Sequence, residues 1–259
     1  MAKRAGLVFV FLFAAAFASA QSLNEMADRT ATRPNASGEP EQITLRLGLL
    51  DIVEVDDREQ VFEVDIFVEA GWQDPRLATH GDAAPDLRPV ALETIWNPRL
   101  TVLNARGLDV LLPQVATVDR QGNVIARQRL AGPFAVDLDL RDFPFDTQRL
   151  PIEIASYQYS QDEIIFSADS EMLAKPETLS GDGWTFEAIE PEAFVFRLKD
   201  DGRGVAGLAF AVSAERKPEY FVLTIALPMT VILFLAWMAH WLPVDVIPAR
   251  MGTASATVF

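Results

Sequence analysis

"ITLRLGLLDIVEVDD" (residues 43–57) and "VFEVDIFVEAGW" (61–72) alternate apolar and polar side chains. A strand points successive side chains to opposite faces, so the alternation describes half-buried strands. The charged "DDREQ" (56–60) between them is a short turn. Further strand-like runs follow at 99–104, 108–118, 123–130, 134–140, 150–156, 163–168, 184–189, 193–198 and 205–214. Turn signals such as "RQGN", "SGDG" and "KDDGRG" separate several of them. About ten short strands with no helical stretch between them predict an all-β, immunoglobulin-like antiparallel sandwich over 42–214.

Composition narrows what such a sandwich does. The chain has 259 residues, with 22 basic against 37 acidic side chains. That balance excludes nucleic acid as a partner, which needs a basic face. There are no cysteines, and the only histidines are His80 and His240. Disulfide frameworks, thiol catalysis and cysteine-based metal sites are therefore excluded. No phosphate loop, nucleophile–base pair or metal spacing appears, so neither a cofactor nor an enzyme is expected.

Both ends of the chain carry membrane signals. Lys3 and Arg4, the apolar residues 5–17 and "ASA" at 18–20 form an export signal over 1–20. Residues 21–41 read as a polar, flexible leader. "YFVLTIALPMTVILFLAWMAHWL" (220–242) holds no charged residue and is long enough to span a bilayer. Within 215–242 we therefore expect a short pre-helix and a first transmembrane helix, with Trp237 and Trp241 near one interface. With the sandwich exported, this helix runs inward and Arg250 falls on the cytoplasmic side.

"RDFPFDTQRL" (141–150) is a loop, since proline lacks the donor that a strand interior needs. It carries Phe143 and Phe145 beside Asp146. Apolar rings at a loop suit contact with the apolar ends of membrane helices. Packing into the sandwich's own core is the other possibility, and for Phe145 both stay open.

The motifs resemble the pentameric ligand-gated ion channel family, the Cys-loop receptors and their bacterial relatives. "VDDREQ" (55–60) resembles the first strand-to-strand loop, "GWQDPRL" (71–77) the Trp-x-Asp segment and "IWNP" (95–98) the Trp-x-Pro. "FPFD-x-Q" (143–148) resembles the Cys-loop itself, and "GW" (183–184), Arg216 and Pro228 also sit at family positions. Val136 and Leu150 stand where animal members have the two cysteines, as is usual in bacterial members.

The resemblance implies a homopentamer in the cell's inner membrane, with the sandwich periplasmic or extracellular. Its partners would be identical subunits, membrane lipid and a small-molecule or ionic agonist. It implies coupling through Asp57, Phe143, Pro144, Phe145, Asp146 and Arg216, with the guanidinium holding both carboxylates. It places an agonist between subunits, against Phe67 on one face and Tyr157 and Tyr159 on the other. The hairpin 197–208 offers Lys199, Asp200, Asp201 and Arg203 instead of an aromatic, so a zwitterion or acid, a divalent cation or a proton suits the cleft better than a quaternary amine. Trp72, Trp96 and Trp184 are expected in the core. Residues 246–259 resemble the start of the pore-lining helix. Pro248, Ala249 and Arg250 stand where cation-selective relatives carry a glutamate, which implies an anion preference. A rival reading is a membrane-tethered periplasmic binding or adhesion sandwich without channel activity.

Overall fold

In β1 (Glu41–Asp56) the side chains of Ile43, Leu45, Leu47 and Leu49 are buried, while Thr44 and Arg46 keep solvent contact. The next strand, β2 (Val61–Gln73), buries Phe62, Val64, Ile66, Val68, Ala70 and Trp72. The two pair antiparallel through the turn after Asp56, where Gln60 takes a positive φ and its side-chain amide donates to the Asp57 carbonyl. This computed structural model describes residues 30–35, 38–79, 85–169, 179–197, 204–238, 241 and 252. The export signal, most of the leader, residues 198–203 and Pro248, Ala249 and Arg250 lie outside the described residues.

The remaining strands are β3 (Leu87–Ala91), β4 (Leu100–Val102), β5 (Asp109–Val110), β6 (Val115–Asp119), β7 (Asn123–Ala135), β8 (Thr147–Ser160), β9 (Ile164–Ala168), β10 (Trp184–Arg197) and β11 (Gly204–Arg216). They form a seven-stranded sheet in the order β3-β6-β7-β2-β1-β9, with β5 also paired to β7, and a four-stranded sheet in the order β10-β11-β8-β4. The chain divides into two compact units. One comprises 1–137, 150–181 and 188–212, and the other 138–149, 182–187 and 213–259.

The first unit holds the main core. Phe62 and Phe134 stack at 5.4 Å, Trp72 meets Trp96 edge-on at 6.0 Å, and Trp96 packs on Tyr159 at 5.6 Å. Trp72, Trp96 and Trp184 are all buried, as the sequence led us to expect.

Three features depart from the sequence reading. The β1–β9 pairing is parallel, so the sheets are not wholly antiparallel. The runs at 184–189 and 193–198 are one strand, β10, which continues through Pro191. As β10 lies at a sheet edge, a missing N–H there need cost no ladder bond. Conversely, the run at 108–118 breaks into β5 and β6 around Pro113.

Past β11, a 20-residue helix, α1 (Glu219–Met238), is long and apolar enough to cross a membrane, and its side chains are largely exposed. It absorbs Pro228 by widening. A π-helical turn runs over Val222–Ala226, and the Leu227 N–H reaches back five residues to the Val222 carbonyl. The wider turn relieves the clash between the proline ring and the preceding carbonyls. The Thr230 hydroxyl donates to the Ala226 carbonyl at 2.7 Å.

The alternation in β2 sets a direct test. Phe62→Ala removes a ring with no solvent exposure and should cost about 3–5 kcal/mol. Phe67→Ala, on the opposite face, should cost about 1 kcal/mol or less. Thermal or denaturant unfolding of the purified variants checks the contrast.

Candidate functional site

Arg216 ends β11, with only Lys217 and Pro218 between it and the start of α1. It belongs to the second unit, and so do the other parts of this site. Its side chain and that of Asp146 are only 5% and 2% exposed. The guanidinium Nε donates to Asp146 Oδ1 at 2.7 Å and an Nη to Oδ2 at 3.2 Å, a bidentate fork. The backbone repeats the link, since the Arg216 N–H donates to the Asp146 carbonyl at 3.1 Å.

Rings surround the charge. The guanidinium carbon lies 4.0 Å from the Trp184 ring centroid, 4.9 Å from that of Phe143 and 5.8 Å from that of Phe221. Phe143 meets Phe221 edge-on at 4.7 Å. Cations sit favourably over such faces when water is excluded. Trp184 reaches its place through Gly183, whose φ of +82° favours glycine, and whose carbonyl accepts from the Lys217 N–H.

Gln148 completes the loop. Its amide Nε2 donates to Asp146 Oδ2 at 2.6 Å and to the Asp139 carbonyl, and its Oε1 accepts from the Asp139 N–H. Burial alone would raise the Asp146 pKa. Hydrogen bonds from Arg216 and Gln148, with the guanidinium charge, outweigh it and hold the carboxyl below its usual range.

The expected pairing of Arg216 with Asp146 is present. Asp57 belongs to the other unit, in the turn between β1 and β2. Phe145 is 70% exposed, so its ring does not pack into the core, while Phe143 is shared between solvent and the Phe221 ring. Pro144 between them is half-buried in a turn. Trp184, Gln148 and Phe221 were not singled out as coupling residues from the sequence. The signals were there, in "GW" and in the glutamine of "FPFD-x-Q".

In the first unit, Phe67 lies on the outer face of β2, directly across from Arg129 of β7. One row along the same face, the carboxylate of Glu69 accepts from Arg46 at 3.1 Å and from Arg127 at 2.7 Å. Arg46 also reaches Asp169, and Arg129 holds Asp65 in a fork. Phe67 is thus an apolar spot among paired charges. Tyr157 is exposed and lines a cavity of about 430 Å³.

Tyr159 corrects the expectation of a ligand-facing ring. It is buried in the core, and its hydroxyl accepts from Trp96 Nε1 at 2.8 Å. The cause is local. Ser156 Oγ accepts from the Tyr159 N–H at 3.0 Å, and this turn-like bond breaks the alternation of β8. Leu150, Ile152 and Ile154 are buried at even positions, whereas beyond Ser156 the odd-numbered Tyr159 turns inward.

Removing one partner of the buried pair strands the other charge. Arg216→Ala should destabilise the protein by about 3–5 kcal/mol, and Arg216→Lys should restore only part because it lacks the fork. As the folded Asp146 pKa is lowered, the pair's contribution is full above the unfolded value of about 3.9 and is lost as pH falls through the lowered one. Asp146→Asn should therefore reduce the loss of stability on acidification below about pH 4, as read by unfolding at a series of pH values.

Residues 21–195 of the 259 match the model of the neurotransmitter-gated ion-channel ligand binding domain. Members of that family are membrane-embedded oligomers whose extracellular domain binds small-molecule ligands. With a matching β-sandwich leading into an apolar helix, the chain belongs to the neurotransmitter-gated ion-channel family and is a ligand-gated channel subunit.

Proposed function

We propose that the chain is one subunit of a bacterial-type homopentamer in the inner membrane, its sandwich periplasmic or extracellular, opened by an agonist held between neighbouring sandwiches. The observation that carries this reading is the buried Arg216–Asp146 pair three residues before the start of α1. Anything that shifts the 138–149 loop pulls on Arg216, and only Lys217 and Pro218 separate Arg216 from the helix. Such a short connection passes displacement on with little slack. Asp57 is proposed as a second carboxylate for Arg216, and the exposed Phe145 as the loop's apolar contact with the membrane helices.

For the agonist, Phe67 of one subunit faces Tyr157 of the next. The rows of arginines paired with carboxylates around Phe67 favour a zwitterion or small acid over a bare quaternary amine. Anion preference rests on Pro248, Ala249 and Arg250 at the pore entrance, where no carboxylate stands in the sequence to concentrate cations.

Current recordings test each part, with glycine and glutamate as zwitterionic and acidic probes and tetramethylammonium as the bare cation. Glycine or glutamate should open the channel and tetramethylammonium should not. Arg216→Ala should abolish the evoked current while assembled pentamer still reaches the membrane. Phe67→Ala and Tyr157→Ala should each shift the dose–response about tenfold, and unchanged responses in both would move the site elsewhere. The reversal potential should follow chloride, and one that follows sodium would refute the anion preference.

A further inference from the structure

Glu41 opens β1 and shares its inward face with Ile43 and Leu45, yet it ends in a carboxylate. The residue is only 3% exposed. A buried carboxylate is ordinarily paired with a cation or served by several donors. Among the described residues, that of Glu41 accepts from one group, the Asn35 side-chain amide, at 3.0 and 3.4 Å, and no arginine forms an ion pair with it.

Asn35 belongs to the leader. Residues 30–35 cross the end of the sandwich where Glu41 stands, and polar bonds hold them to three elements of the first unit. Arg33 Nη1 donates to the Glu163 carbonyl, in the turn between β8 and β9, at 2.6 Å. The same oxygen accepts the Glu41 N–H at 2.9 Å. Arg76, just after β2, forks the buried Asp74 and gives Nη1 to the Thr32 carbonyl at 3.0 Å. Asn35 makes the third link, on Glu41 itself. None of residues 30–35 is buried, so the segment lies on the surface and is held by hydrogen bonds rather than by an apolar seat.

A segment lying over an inward carboxylate takes away its water. Burial raises the Glu41 pKa; the Asn35 bond and the charges of Arg33 and Arg76 offset only part of that, and Asp74 adds to it. Glu163, the other acid at this end, is engaged by the N–H and hydroxyl of Ser160. We propose that residues 30–35 form a proton-controlled strap, held down while the Glu41 carboxyl is neutral and loosened when it ionises. Release readmits water to the carboxylate, so ionisation favours the open strap and protonation the docked one. The docked state has the raised pKa. Docking is therefore strongest at pH values below the ordinary glutamate range, and that advantage is lost as pH rises through the raised pKa. The strap uses neither Phe67 nor Tyr157, and its release does not depend on whether the chain conducts ions.

The test uses the purified full chain in detergent. The chain has no cysteine, so Ala31→Cys, at an exposed strap position, takes one maleimide dye per subunit. Fluorescence anisotropy of a pH-insensitive dye then reads the ratio of held to free strap between pH 5 and pH 8. The ratio should fall about twofold or more as pH rises. Glu41→Gln keeps an acceptor for Asn35 without the charge, and its ratio should not change with pH. Glu39→Gln, at an exposed acid two residues away, should leave the fall in place.

Should Glu41→Gln fail to fold, Glu41→Met, neutral and of similar length, takes its place. A ratio in the unmodified strap that is flat or rises with pH overturns the proposal. So does a fall that survives in the neutral Glu41 variant, or one that disappears in Glu39→Gln.

Discussion

The Arg216–Asp146 pair constrains everything around it. Withdrawing two ions from water costs several kcal/mol for each, and their attraction offsets this only when geometry is good and the remaining donors and acceptors are satisfied. Here the fork, the Gln148 amide and the Trp184 ring meet that demand together. None can shift far without exposing the energetic cost of the rest. The 138–149 loop, the turn at Gly183 and the end of β11 therefore behave as one block, with few intermediate arrangements. A block of that kind suits a protein that must hold one of two states, since gradual deformation would blur them.

Face separation is the second constraint. On β2, Phe67 looks outward among paired charges while Val68 looks inward at the cavity. A one-residue slip would exchange them and destroy both surfaces at once. The eleven strand residues from Val61 to Gly71 thus specify an outer surface of paired charges and an inner hydrophobic one with the same register. The outer row is fixed further by Glu69, which ties β1, β2 and β7 through two arginines.

Much of this was legible in the sequence. β1 and β2 could be read because their alternation is nearly unbroken, and α1 because it holds no charge in its apolar stretch. The Arg216–Asp146 pairing followed from the family resemblance rather than from spacing, as the two lie 70 residues apart. The runs at 184–189 and 193–198 read as two strands, and only the sheet order shows that β10, with Pro191 inside it, is at an edge. Tyr157 and Tyr159 looked equivalent because the hydroxyl of Ser156, which turns one of them inward, leaves no periodic trace. The cavity was invisible, since a gap in packing has no sequence signature.

The parallel pairing of β1 with β9 bears on how the chain acquires its fold. Thr44 and Ser167, opposite each other in that ladder, are separated by 123 residues. A strand made early must wait for one made much later, and closing so long a loop is entropically costly before the pairing repays it. Until then one border of β1 carries unsatisfied N–H and C=O groups beside a row of apolar side chains, a template for pairing with another copy. Nascent chains of this protein are therefore vulnerable for longer than a hairpin-only sandwich would be. Shielding by a holding chaperone should matter most during that interval, and least once residue 168 has been added.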